Sequence, residues 1–355
     1  MVEYPEEIEI QLAELREHYE LIEQDGRGAN GYLFFAKNKI SGQEVAIKFY
    51  CGAPDETQHD EPRQLATIAS PNVLPILDAK SVSGSWGYFV TPKCADGDLD
   101  DVIGGCPTVH FAIDLAIGVC RGVSAIHAAN MVHRDLKPGN VVLDGGRPRI
   151  ADFGSVRKLE DGEQHTRASK HSVLYRPPES FEEDVYTKAG DVYQVGLLSY
   201  QLLGGALPYD GESYLNSRER KEYAQITDLV ERSLFVDEAI GRRANAGRLT
   251  DFSSLPPWIS RTTRHCLGSM INPDPTKRLG SVSEAVAKLT QARASMEDWG
   301  WQGETAELVR DRGRIEVRPR GDGEYEAVRV NEDGRSRRVQ GVEAGSLRHV
   351  LKQVT

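Results

Sequence analysis

Cysteine is scarce and irregularly placed in this chain. The five cysteines, Cys51, Cys94, Cys106, Cys120 and Cys266, are scattered over 355 residues without a Cys-x-x-Cys pair, which argues against a disulfide framework and against a zinc site. They read as reduced core thiols. Long apolar runs are also missing: no stretch of about 18 consecutive apolar residues occurs. The opening MVEYPEEIEI has neither the positive nor the apolar region of a signal peptide. The expectation is a cytoplasmic protein with no membrane partner. Positive charge is in deficit, 43 Lys and Arg against 54 Asp and Glu, for a formal charge of −11 and a pI near 5.4. That global field disfavours a nucleic-acid partner. Internal repeats and low-complexity tracts are absent as well.

What remains is a globular composition, 39% hydrophobic and 27% charged, long enough for one large two-lobed domain or two ordinary ones. The acid is unevenly spread. Residues 300–355 hold 11 basic and 10 acidic side chains against 32 and 44 before them, a composition break that marks a domain boundary. From Tyr19 to Tyr50 the segments YELIEQ, YLFFAKN and EVAIKFY alternate as strands around glycine-containing turns. DEPRQLATI suggests a short helix, VLPILDAKSV and WGYFVTPKC two further strands, and HFAIDLAIGVCRGVSAIHAAN a long helix. Helical patterns then dominate to about residue 295, with AGDVYQVGLLSYQLLGG apolar on more than one side, as a buried central helix would be. In the tail, RIEVRPR, EYEAVRVN and SRRVQGVE alternate like strands, and AGSLRHVLKQV places Leu347, Val350, Leu351 and Val354 on one helical face. The fold class is α+β: a β-rich first lobe, a helical second lobe and a small strand-rich appendage, with the cleft between the lobes as the place for a site.

Four short stretches carry chemistry. GRGANG sets Gly26, Gly28 and Gly31 between two strands. Alone it is as well explained by a hairpin turn, but strand continues from Leu33 with no helix following, which fits a lid over phosphates better than a dinucleotide cradle. Lys48, flanked by Val45, Ala46, Ile47 and Phe49, reads as a phosphate-binding cation beneath that lid. In HRDLKPGN, phosphoryl transfer finds a carboxylate to orient an acceptor hydroxyl (Asp135), a cation for the moving phosphoryl (Lys137) and an oxygen ligand for a metal (Asn140). ADFG offers the second metal ligand, Asp152.

The set GRGANG, VAIK, HRDLKPGN, DFG and RPPE, in that order and at these separations, resembles the eukaryotic-type (Hanks-type) serine/threonine protein kinase family over residues 17–295. The resemblance implies an N-lobe over about 17–91, a C-lobe over about 95–295, an N-terminal extension at 1–16 and a separate small domain at 300–355. It also implies ATP and Mg2+ as cofactors and a protein substrate. By it, Lys48 would hold the α- and β-phosphates and pair with a helix glutamate. Counting back from SPNVLP makes that glutamate Glu61, with Pro62 right behind it requiring the helix to start there, and Glu56 as the alternative. Thr91 would stand at the back of the nucleotide pocket, Pro92 would offer its carbonyl and Cys94 its N–H to adenine, and Asp98 would meet the ribose. Leu33, Ala46 and Val142 would line the pocket. Asn140 and Asp152 would bind magnesium, Glu179 would pair with Arg278 as a buried strut, and Asp191 would hold the catalytic loop. Lys137 points to the serine/threonine branch.

Arg134 stands directly before Asp135 and carries a cation that wants an anion inside the cleft. Thr166 and Ser169 lie where kinases of this resemblance carry activating phosphates. Autophosphorylation, with self-association to allow it, is therefore expected, unless Glu160, Asp161 or Glu163 already supplies the charge. Ser172 is expected near Asp135 and Lys137 instead. His127 and His133 read as structural histidines, NSRERKE as a solvated helix face, and the tail arginines as ordinary surface charge. Two rivals remain, a pseudokinase scaffold and a small-molecule phosphotransferase of related fold. The intact Lys48, Asp135 and Asp152 count against the first, and HRDLKPGN, DFG and the Glu179 and Arg278 pairing against the second.

Overall fold

A computed structural model describes residues 4–28, 31–51, 59–83, 85–160, 162–167, 172–321 and 323–354. The chain opens with helix α1 (Glu6–His18), whose first turn carries Glu6, Glu7 and Glu9 and whose last carries Arg16 and His18, each sign at the helix end that favours it. A five-stranded antiparallel sheet follows, built from β1 (Tyr19–Gly28), β2 (Gly31–Asn38), β3 (Glu44–Cys51), β4 (Asp78–Ser81) and β5 (Trp86–Pro92) in the order β1-β2-β3-β5-β4. Strand alternation divides its residues cleanly. Phe34, Ala36, Val45, Ile47, Phe49, Tyr88 and Val90 face outward and are buried with Ile8, Leu12 and Leu15 of α1. Residues 1–16, set apart as an extension by sequence, thus contribute most of a helix that closes the lobe's outer face. Three such side chains stabilise by roughly 5–9 kcal/mol in gross burial terms.

Helix α2 (Asp60–Thr67) puts Glu61 and Pro62 in its first turn. Proline is harmless there, since an N–H at that position has no intrahelical acceptor. The strand expected across VLPILDAKSV shrinks to β4. Pro75 has no N–H to give, and the residues before it turn to the other lobe: Leu74 N–H donates to Ile150 O at 2.9 Å, and Val73 bridges Ile150.

The second lobe is organised around α4 (Val109–Ala128), preceded by α3 (Leu99–Gly104). No 18 consecutive apolar residues occur in α4, yet by length and composition this helix could cross a membrane. Its Asp114 and Arg121 break the apolar run without lowering the mean hydropathy much. In the fold α4 is a core helix, packed against β8 (Arg147–Ile150), α6 (Lys188–Leu202) and α10 (Val282–Ser295). Gly118 and Gly122 permit this approach, because a Cβ at Gly118 would lie 2.4 Å from Pro148 and one at Gly122 2.6 Å from the Asn72 carbonyl oxygen. Around it stand β6 (Met131–Val132), β7 (Val141–Asp144), β9 (Arg157–Lys158), β10 (Thr166–Arg167), α5 (Glu179–Glu182), β11 (Val185–Tyr186), α7 (Ser217–Tyr223), α8 (Leu229–Asn245) and α9 (Arg261–Met270). The short strands pair as β6 with β9, β7 with β8 and β10 with β11.

The tail forms a five-stranded meander, β12 (Trp299–Gln302), β13 (Thr305–Arg310), β14 (Gly313–Pro319), β15 (Tyr325–Val330) and β16 (Ser336–Arg338), followed by α11 (Leu347–Val354). The first two strands of this sheet were not anticipated. Trp299 is 1% exposed and stacks on Trp258 at 5.6 Å, and Trp301 lies 4.8 Å from the same ring. Val350 and Leu351 of α11 and Leu308, Ile315 and Val317 of the sheet belong to one apolar cluster with the helical lobe.

Candidate functional site

The catalytic-loop stretch 133–140 connects β6 to β7, and a buried carboxylate fixes its start. Asp191, fully buried in the first turn of α6, accepts at Oδ1 from the Arg134 backbone N–H at 3.0 Å and from Tyr186 Oη at 2.8 Å. At Oδ2 it accepts from the His133 backbone N–H at 2.9 Å and meets His127 Nε2 at 2.7 Å. Burial pushes its pKa up, but the bonds and charges from His127 and His133 more than offset this and hold it below the ordinary 3.8. Arg134 can therefore sit at φ 71, a conformation an arginine does not adopt unsupported. Gln194 adds a bond from the Leu136 N–H to its Oε1 at 2.9 Å.

This anchoring presents the next residues to the cleft. Asp135 is 4% exposed, and its Oδ1 is buried with no hydrogen-bond partner among the described residues. Its Oδ2 accepts from Lys137 Nζ at 3.2 Å and from the Asn140 amide nitrogen at 3.2 Å. Lys137 also reaches Ser172 Oγ at 3.3 Å, as expected of that serine. Because the Asn140 nitrogen donates to the Asp135 carbonyl at 2.7 Å, its amide oxygen is left as the ligand atom.

Across the cleft, Lys48 Nζ lies 2.6 Å from Glu61 Oε1 and 3.4 Å from Asp152 Oδ1. Glu61 is thus the partner of Lys48 among the described residues; the alternative, Glu56, lies outside them. Burial opposes the charge on Lys48, yet the two carboxylates outweigh it and raise its pKa. Asp152 is lowered: burial works against its charge, and Lys48 and His133 more than compensate. Glu61 is raised, first by burial and then by the neighbouring Asp152, against the pull of Lys48. Two carboxylates share one ammonium, and the more buried of the two carries the cost; the lysine stays charged. Asp152 itself takes φ 55, and Phe153 behind it is buried against the His133 ring at 5.5 Å.

A cavity of about 670 Å³ opens between the lobes, lined by Gly31, Leu33, Ala46, Lys48, Glu61, Thr91, Pro92, Cys94, Asp98, Asn140, Val142 and Asp152. Every one of these was singled out from sequence. Gly26 falls at a bulge in β1 and Gly28 pairs with Gly31. At Gly31 a Cβ would stand 1.8 Å from the Phe49 carbonyl oxygen, so no side chain fits. Asp98 spends Oδ1 on capping α3, accepting from the Asp100 N–H at 2.8 Å and the Asp101 N–H at 3.3 Å, which leaves Oδ2 for a ligand. Burial, then the neighbouring Asp100 and Asp101, raise its pKa despite those bonds. Burial also pushes the Cys94 thiol up to about 11. Sequence reasoning missed Phe35, Phe89 and Asp101, which also line the cavity. Phe35 was legible, since strand alternation puts it on the face of Leu33. Asp101 was not, because its carboxylate turns back to the Asp98 N–H at 3.2 Å.

Arg134 finds backbone rather than carboxylate. Its Nε donates to Ser155 O at 2.6 Å and its Nη1 to Arg167 O at 2.5 Å. Burial, then the nearby Arg157, lower its pKa to about 10. Among the described residues it forms no ion pair with Glu160 or Glu163, the latter lying 3.3 Å from His165. Asp161 and Ser169 lie outside the described residues. Thr166 sits in β10, paired with Tyr186 and one residue from the carbonyl that receives Arg134. Arg278 meets Glu179 through two bonds of 2.7 and 2.6 Å, with its side chain wholly buried, as expected.

The donor set also says what it can hold. Among the described residues no three His, Cys, Asp or Glu side chains gather as a metal cage. One carboxylate and one amide facing a large open cleft suit a hard cation that takes its other ligands from phosphate oxygens and water.

A strand lysine under a glycine turn, faced by carboxylates from the second lobe, defines the two-lobed phosphotransferase class. Residues 19–290 match the protein kinase domain family, and the chain belongs to it. It is 30% identical over 238 residues to the DNA damage-responsive serine/threonine-protein kinase RqkA of Deinococcus radiodurans, covering 63% of this chain and 35% of that one. It is 27% identical to the serine/threonine-protein kinase PrkC of Bacillus subtilis, over 55% of this chain and 32% of that protein. With drp72 of Corynebacterium efficiens, a serine/threonine-protein kinase, the match is 26% over 76% of this chain and 49% of the relative. The chain thus spans about half or less of the length of these curated relatives.

Proposed function

We propose that the protein is an ATP-dependent serine/threonine protein kinase that phosphorylates protein hydroxyls, with Mg2+ as its metal. The observation that carries this reading is the assembled cleft: Lys48 charged between Glu61 and Asp152, opposite a buried Asp135 oxygen with no partner among the described residues. Lys48 binds the α- and β-phosphates. The Pro92 carbonyl and the Cys94 N–H take the adenine edge, and the free oxygen of Asp98 meets the ribose. Asn140 and Asp152 hold the metal, which when bound neutralises phosphate charge. Asp135 Oδ1 accepts the hydrogen bond of the incoming serine or threonine hydroxyl and orients its oxygen. Lys137, held by Asp135 and Ser172, places its ammonium at the transferring group. Labelled-phosphate transfer to a generic protein acceptor tests the reading. Asp135→Asn is expected to lower turnover by roughly 10²- to 10⁴-fold with Mg-ATP binding kept, and Asp152→Asn to weaken metal binding. Parent-rate transfer by the Asp135 variant would remove that residue from the chemistry.

Regulation by phosphate on Thr166 or Ser169 is part of the same reading. Two arginines, Arg134 and Arg157, repel one another beside β10, and a phosphate would bring about −2 charge to them. Transient self-association would deliver one copy's loop to another's cleft. Autophosphorylation at either site, with activity several-fold lower in the double alanine variant, is expected; both sites unmodified in fully active enzyme would refute it. The reduced, scattered cysteines support a cytoplasmic location, and the acidic charge supports a protein rather than a nucleic-acid partner.

A further inference from the structure

A second cavity, of about 480 Å³, lies where the appended sheet meets the helical lobe, remote from the nucleotide cleft. Its apolar wall includes Trp258 and Trp299, and α11 contributes Arg348 and Lys352. Neither cation forms an ion pair among the described residues, and the one acid on the wall, Glu297, is bound to Arg310 at 2.5 Å. Just behind, Arg264 gives its N–H groups to the backbone carbonyls of Phe252, Leu255, Pro256 and Ile259 and to no carboxylate. Burial, then the charge of Arg348, lower its pKa, which places Arg348 close enough to be felt. Trp299 is 1% exposed and its indole N–H, with no acceptor among the described residues, is sealed from solvent, so it backs Trp258, on which it stacks at 5.6 Å, and offers the cavity no donor. A chain of charge −11 thus gathers two cations with no ion pair among the described residues beside an aromatic wall, in a volume that suits a small ligand.

We propose that this junction cavity binds a small organic anion, its apolar body against Trp258 and its charged head, carboxylate or phosphate ester, on Arg348 and Lys352. The site belongs to neither unit alone, since the lobe supplies Trp258 and the appendage supplies the cations.

The test uses the full chain with its nucleotide cleft saturated by Mg-ADP and the aromatic sulfonate dye 8-anilinonaphthalene-1-sulfonate as probe. Dye emission excited through tryptophan should saturate at one dye per chain. Phenylacetate and phenyl phosphate, which separate the two head groups, are the competitors, and at least one of them should displace the dye while neutral 2-phenylethanol does not. Arg348→Glu with Lys352→Glu should weaken dye binding at least tenfold; both side chains are exposed, so the fold should persist. Ser295→Glu, which sets a negative charge in the wall without touching α11, should weaken it similarly. No saturable binding to the parent, equal affinity in both variants, or displacement by the alcohol as readily as by the anions would overturn the proposal.

Discussion

Replacing Asp191 by asparagine tests whether one buried carboxylate sets the shape of the catalytic loop. Asp191 accepts from two consecutive backbone N–H groups, those of His133 and Arg134, one on each oxygen. An amide keeps only one oxygen, so whichever way it turns, one of these donors faces an NH2 group instead of an acceptor. The loss is a hydrogen bond to a charged group, about 1.5–3 kcal/mol, together with the cost of a buried donor left unpaired, about 1–3 kcal/mol; the two overlap, so a total of about 2–4 kcal/mol is expected. Relief from burying a charge works the other way, but the lowered pKa of Asp191 says that its partners already outweigh burial. The melting temperature should fall by about 3–5 °C for a chain of this size. Because Arg134 stands at φ 71 only while it is held, Asp135 should drift and kcat should drop by at least tenfold. The Lys48 side of the cleft is untouched, so nucleotide affinity should survive. Thermal unfolding, nucleotide titration and steady-state kinetics on the same preparation provide the check. A variant within about 0.5 kcal/mol of the parent and with the parent's kcat would refute the reasoning, because the loop would then hold its shape without its anchor.

The same carboxylate predicts a pH dependence. A carboxyl with a lowered folded pKa contributes stability above its ordinary value of 3.8, lost as pH falls through the folded value, with a slope of up to about 1.4 kcal/mol per pH unit; acid titration of Asp191→Asn should show a shallower loss in that range. Leu12→Ala should cost about 2–5 kcal/mol, because Leu12 is 3% exposed between α1 and the sheet, and urea unfolding at unchanged slope measures it. Truncation after Met296 should leave Mg-ADP binding intact while lowering the melting temperature and solubility, because Trp258 loses its stacking partner. Failure of the truncated chain to bind nucleotide under any conditions would make the tail part of the kinase core.

The cleft was legible in sequence because its chemistry is local. Asp135, Lys137 and Asn140 sit within six residues, and their contacts to one another follow from one tight loop. Lys48 and Glu61 were legible as a pair only through family resemblance, and the proline after Glu61 resolved itself once the helix was seen to begin at Asp60. What escaped was decided by partners far away in sequence. The stripe Ile8, Leu12 and Leu15 carries helical spacing, yet nothing local says that it lies on a sheet up to 80 residues downstream. In VLPILDAKSV the apolar residues suggested a strand, and the competing bond from Leu74 to Ile150 ended it. The apolar length of α4 says nothing by itself about where it goes, and only its packing on α6 and α10 makes it a core helix.

The helix that closes the outer face of the first lobe bears on how the protein is made. Synthesis delivers α1 before the strands it covers, and the last of these, β5, ends at Pro92. Until then the face that Ile8, Leu12 and Leu15 cover lacks Tyr88 and Val90, and a thirteen-residue helix is marginal in water by itself. The nascent chain must therefore carry an incompletely covered greasy stripe through roughly 75 residues of elongation, some 4–15 s at ordinary translation speed. A holdase that grips amphipathic segments would find its binding window there, and codons that slow the ribosome before β5 would lengthen the exposure.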